Sequence, residues 1–296
     1  MSGSLAYSRG VVYVGTEELT AHVRSFDLDG RELEANFSFR AAEGGPASVR
    51  GLAVDEDHRV WVADGVDGQL RAFTLFGDQV AGVESVEPGQ SDRGGVLGTL
   101  SAVISRGCDE LQELVIASCG RRRHAVQCLP LGSGRASSLR STGHVDQPFN
   151  DVSGLHGRDS WLWVCERGAG RVQLFRDGDF HQALKLEMTK GARFRPNALQ
   201  SLDDGRLVVA QGGAASAVLL LDPNGKLLRI LAETGDEVGC VSEPTDLVVE
   251  PGADDRHTRV VVIDAEGTRV QVLNLEGDSY GTFPGFARSD PSWETS

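Results

Sequence analysis

Short apolar runs, alternating or continuous, recur along the whole chain and are separated by turn residues. One unit repeats. A polar or Pro-containing opening leads into a short apolar stretch. A turn follows, then a β-rich run that ends near an acid, a Gly-rich link, a third alternating run, a tight turn and a fourth strand. One copy reads Val49-Arg50-Gly51-Leu52-Ala53-Val54, then Val60-Trp61-Val62-Ala63-Asp64, then Leu70-Arg71-Ala72-Phe73. Others run through Trp161-Leu162-Trp163-Val164-Cys165-Glu166, Leu207-Val208-Val209-Ala210-Gln211 and Val260-Val261-Val262-Ile263-Asp264, and a looser one through Leu114-Val115-Ile116-Ala117-Ser118. Runs this short and this rich in β-branched residues are strands, not helices.

The equivalent openings Arg50, Ser101, Asn150, Asn197 and Thr245 lie 51, 49, 47 and 48 residues apart. A period near 50 with four short strands per unit is the signature of a propeller blade. Asp29-Gly30, Asp177-Gly178, Asn224-Gly225 and Glu276-Gly277 each stand between two apolar runs, which predicts type I′ hairpins, where both central residues take positive φ. The N-terminus reads as starting in a second-type strand, Val11-Val12-Tyr13-Val14. Pro284-Gly285-Phe286-Ala287-Arg288 reads as the first-type strand that blade lacks. The expectation is an all-β, six-bladed propeller over 1–289, with four-stranded antiparallel blades. Its ring is closed by pairing of the N- and C-terminal segments, and a tail follows over 290–296. Tyr13, Trp61 and Trp163 fall at one repeat position and are expected to pack between blades.

Charge narrows the partners. The net charge of −14 gives no basic surface for phosphates, so a nucleic-acid partner is not expected. No apolar run is long enough to span a bilayer, and the start lacks the features of a signal peptide, so the expected location is cytoplasmic. The five cysteines form no C-x-x-C pair and read as reduced thiols. The basic run Arg121-Arg122-Arg123 in an acidic chain is a candidate docking loop for an acidic partner. A polar residue ends each second strand: Thr16, Asp64, Ser118, Glu166, Gln211 and Asp264. These side chains are expected to hold the neighbouring links. No nucleophile elbow, P-loop, zinc-helix motif or dinucleotide fingerprint is present.

The segments Val60-Trp61-Val62-Ala63-Asp64 and Glu166-Arg167-Gly168-Ala169-Gly170-Arg171-Val172-Gln173 resemble the NHL-repeat family. The resemblance covers nearly the whole chain and implies a six-bladed propeller that docks protein or RNA partners. A more distant likeness is to the regucalcin/gluconolactonase propellers, which hold a metal in the central channel. Phe149-Asn150-Asp151, Pro196-Asn197-Ala198 and Pro244-Thr245-Asp246 follow the order of that family's channel motifs. Its Glu position falls on Arg50 and its Asp position on Thr245, with Asp246 one step along.

Together these features predict a non-catalytic scaffold without a cofactor. It binds a protein, peptide or small molecule through its loop faces and channel, with Arg50, Asn150, Asn197 and Asp246 as the channel candidates. Arg50 suits an anionic group such as a carboxylate. The alternative is a divergent metal-dependent hydrolase, lactonase-like, in which Asn150, Asn197 and Asp246 hold one divalent cation as Lewis acid.

Overall fold

The apolar runs become strands, and the strands assemble four at a time. A computed structural model describes residues 3–17, 20–41, 44–83, 85–86, 96–97, 99–108, 111–119, 124–131, 136–141, 148–186, 191–264 and 268–284. Blade I is β1 (Ser4–Ser8), β2 (Val11–Glu17), β3 (Ala21–Phe26) and β4 (Phe37–Phe39). Blade II is β5 (Val49–Val54), β6 (Val60–Asp64), β7 (Leu70–Phe73) and β8 (Gln79–Val83). A short parallel pair, β9 (Ser85–Val86) and β10 (Val96–Leu97), leads into blade III. Blade III is β11 (Thr99–Cys108), β12 (Leu111–Cys119), β13 (His124–Pro130) and β14 (Ser137–Ser138). Blade IV is β15 (Val152–Arg158), β16 (Trp161–Glu166), β17 (Arg171–Arg176) and β18 (Asp179–Leu184). Blade V is β19 (Pro196–Ser201), β20 (Leu207–Gln211), β21 (Ala217–Leu221) and β22 (Leu227–Ala232). Blade VI is β23 (Asp246–Glu250), β24 (Arg259–Asp264), β25 (Arg269–Leu273) and β26 (Ser279–Thr282). Within each blade the strands pair in chain order, so the predicted six-bladed fold is present.

The core is divided among the junctions between blades. Tyr13 joins Val49, Val60 and Val62 between blades I and II, and Trp61 joins Leu100, Leu114 and Ile116 between II and III. Trp163 lies with Leu199, Leu207 and Leu219 between IV and V, so all three aromatic residues pack between blades as expected. The large rings fill wedge-shaped gaps that widen away from the axis. Near the axis the blades leave no such room. A Cβ on Gly154 would lie 2.5 Å from the carbonyl oxygen of Asn197, so only glycine fits there.

Ring closure differs from the sequence expectation. Blade I is complete in itself, because β1 supplies its innermost strand, with Ser4 opposite Gly15 and Ser8 opposite Val11. Blades I and VI then meet face to face. Leu5, Val12, Val14 and Phe26 pack against Val248, Val261, Ile263, Val270 and Phe283. No C-terminal strand is needed to fill the first sheet, and 285–296 lie outside the described residues. The run Ser4-Leu5-Ala6-Tyr7-Ser8 carries few large apolar residues, which hides it as a strand.

The hairpin turns also differ in part. Asp177 and Gly178 both take positive φ, 52° and 83°, as a type I′ turn requires. At Gly30, Gly225 and Gly277 only the glycine is left-handed, with φ of 81°, 86° and 93°. These three turns are organised by the side chain before them. Asp27 Oδ1 accepts from the N–H groups of Asp29 and Arg31, Asp222 Oδ1 from those of Asn224 and Lys226, and Asn274 Oδ1 from those of Glu276 and Asp278. Glu276 therefore never has to adopt positive φ.

Candidate functional site

Each inner strand from blade II to blade V opens with an irregularity. The register skips one residue at Arg50, Ser101, Ser153 and Asn197. Thr245 stands at the same place in blade VI, its N–H donating to the Ile263 carbonyl at 2.9 Å. A bulged residue lies outside the ladder, and its side chain is re-aimed. In blades IV, V and VI the opening side chain is aimed at the next blade. Ser153 Oγ donates to the Pro196 carbonyl at 2.6 Å, Asn197 Nδ2 to the Pro244 carbonyl at 2.7 Å, and Thr245 Oγ1 to the Gly3 carbonyl at 3.2 Å. The three bonds form a belt from blade IV through V and VI to I. Ser101 Oγ, the blade III counterpart, is buried without a partner.

The register corrects one assignment. The blade IV counterpart of Arg50 and Asn197 is Ser153, not Asn150. Asp151 takes a φ of 53° and turns the chain before the strand begins, which displaces the Phe149-Asn150-Asp151 motif from the repeat position. The N–H of Asn150 donates to Glu166 Oε1 at 2.9 Å, and its side chain is exposed above Gly168. Of the polar residues that end the second strands, Asp64, Glu166, Gln211 and Asp264 do hold neighbouring links. Asp64 Oδ1 accepts from Ser48 N–H, Gln211 Oε1 from Arg195 N–H, and Asp264 Oδ1 from the N–H groups of Ser242 and Glu243. The motif Arg121-Arg122-Arg123 lies outside the described residues.

The inner strands enclose a channel cavity of about 260 Å³. Arg50, Ser105, Ser153, His156, Gln200, Thr245 and Asp246 contribute polar groups to its wall. Asn150 and Asn197 do not line it. Arg50 is exposed, and its stem lies across Gly65, where a Cβ would come within 2.2 Å of Arg50 Cγ. Asp246 Oδ2 accepts from Ser4 Oγ at 2.9 Å and from Leu5 N–H at 2.8 Å, while Oδ1 accepts from its neighbour Leu247 N–H at 2.9 Å. Burial outweighs these three hydrogen bonds and pushes the Asp246 carboxyl up to about 6. His156 is held down to about 4 by burial and by the nearby Arg158 charge, so it is neutral at pH 7. Its Nε2 lies 3.0 Å from Ser201 Oγ, and its ring lies against Trp163 with centroids 5.3 Å apart.

A divalent cation of the lactonase kind needs several converging oxygens that carry net negative charge. The donor set here does not fit it. Arg50 brings a positive charge to the place of an acid. Asn150 is off the wall, and Asn197 points its amide nitrogen at Pro244 while its Oδ1 is buried without a partner. Both oxygens of Asp246 already accept hydrogen bonds. Among the described residues no three His, Cys, Asp or Glu side chains come together as a metal site.

No family model matches this sequence, and no curated protein does either. Solved structures do match in shape. The chain is structurally similar to lyase and gluconolactonase propellers. A catalytically inactive virginiamycin B lyase from Staphylococcus aureus with quinupristin aligns over 92% of this chain and 79% of its own, at 13% identity and a TM-score of 0.59. The gluconolactonase XC5397 from Xanthomonas campestris aligns over 92% and 83%, at 14% identity and a TM-score of 0.57. A protein of unknown function from Bacteroides caccae aligns over 93% of both chains, at 12% identity and a TM-score of 0.60. At these identities the likeness is one of fold.

Sequence reasoning missed Ser153, Gln200 and His156. Ser153 had a signal: it stands before Gly154 as Arg50 stands before Gly51. Gln200 bridges blades V and VI, its Oε1 accepting from Val249 N–H at 3.0 Å, and nothing in its local sequence marks it.

Proposed function

We propose that this protein is a non-catalytic, NHL-like binding propeller, a rigid ring that takes a protein, peptide or small ligand on its loop faces and at the channel. The observation that carries this reading is the use of the opening residues. Asn197 and Thr245 fall where the likeness to the gluconolactonase propellers implies metal ligands, with Asp246 one step along, and here all three hold one blade to the next. Side chains committed to interblade hydrogen bonds are poorly free to bind a cation or to follow a reacting substrate. The positive charge of Arg50, which lines the channel wall, favours an anionic group, such as a carboxylate.

The experiment pairs a binding assay with an activity assay on the full chain. Isothermal titration with small mono- and dicarboxylic acids should find a binder, and Arg50→Ala should weaken it about tenfold or more, a difference of about 1.4 kcal/mol. Lactone hydrolysis in the presence of calcium, zinc or manganese should stay at the buffer rate. Metal-dependent turnover that disappears in Asn197→Ala would overturn the reading in favour of a channel hydrolase.

A further inference from the structure

Of the eight large apolar side chains most open to solvent among the described residues, five fall in one region. They are Leu227, Leu228, Ile230, Val238 and Tyr280. The first three belong to β22, the outermost strand of blade V, where Leu228 is 50% exposed and Ile230 43%. Val238 is in the segment that leads to blade VI, and Tyr280 is on that blade's outermost strand. The parts are tied together. Arg229 Nη1 donates to the Leu275 carbonyl at 2.8 Å, and Gly239 N–H donates to Gln271 Oε1 at 3.0 Å. The outer strands of blades III and IV are different: β14 is Ser137–Ser138, and β18 turns Asp179, His181 and Ala183 outward.

A sheet edge with unpaired backbone groups and exposed aliphatic side chains templates another strand, and soluble proteins normally blunt it with charge. In β22 the charged residue inside the strand, Arg229, stands between Leu228 and Ile230 and donates to the Leu275 carbonyl, and the other charges stand beyond the two ends. Lys226 lies just before the strand, and Glu233, Asp236 and Glu237 lie just beyond its finish, all exposed. Such an edge is complementary to itself. Antiparallel pairing about a two-fold axis sets the basic start of one strand against the acidic end of the other, with Leu228 and Ile230 between them.

We infer that the outer edge of blade V, at its junction with blade VI, binds a second copy of this chain in a two-fold, antiparallel edge-to-edge dimer. The solution mass of the full chain, by light scattering after gel filtration from micromolar to several hundred micromolar, tests it. The expected result is a concentration-dependent rise to twice the chain mass. Leu228→Lys should return the mass to one chain with an unchanged circular dichroism spectrum. Lys226→Glu and Glu233→Lys should each raise the dissociation constant about tenfold, and the two together should restore it, because the swap preserves the pairing. A monomer at every concentration overturns the inference, even if the edge then captures an added extended peptide. So does a dimer that is indifferent to Leu228→Lys, or a charge swap that fails to rescue.

Discussion

Asp246 shows how one residue can be visible in a sequence while its role is not. Its place after Pro244-Thr245 suggested a ligand, and only the packing of β1 against β23 shows the carboxylate accepting from Ser4 and Leu5 of another blade. Because the fold raises its pKa from 3.8 to about 6, the folded state holds the proton more tightly than the unfolded chain does. Its contribution therefore favours folding at low pH and is lost as the pH rises from about 4 through 6. Alanine occupies the same register in blades III and V, as Ala102 and Ala198, so Asp246→Ala should fold. The stability of the wild type relative to that variant should fall by about 1–2 kcal/mol between pH 4.5 and 7.5, allowing for partial screening by channel water. A pH-independent difference in Tm would show that the carboxyl does not titrate in that window. Ser153→Ala removes one belt bond and leaves the Pro196 carbonyl without that donor, at a cost of about 1 kcal/mol in urea unfolding. An unchanged midpoint would mean that the belt adds nothing to stability.

Elements were more legible than their ends. β6, β16, β20 and β24 announce themselves through continuous apolar runs, since a strand covered on both faces must be apolar throughout. The inner strand β1 does not, because strands crowded around an axis use small residues and their edges carry polar groups. Its contribution is nonetheless large. Removing residues 1–8 would expose Val248, Val261 and Ile263 of blade VI and strip blade I of its innermost strand. The truncated chain is expected to lose the cooperative thermal transition and to bind the dye ANS. A truncated protein that melts sharply, within a few degrees of the full chain, would show that the first blade does not depend on β1.

At the scale of the whole molecule, stability is distributed over six interblade clusters, and each depends on its neighbours being in place. The sequence by itself determined the all-β class, the blade count, the second strands and the aromatic wedges. These follow from local periodicity and from a repeat length, both of which are written along the chain. The tertiary structure alone decided how the ring closes, which residue opens blade IV and what the polar openings are used for. Closure joins residues more than two hundred positions apart, as in the Ser4–Asp246 hydrogen bond. The register of blade IV turns on a single left-handed residue, Asp151. Whether a polar side chain meets a ligand or a neighbouring carbonyl depends on the angle at which two blades meet, and no pattern within one blade encodes that angle.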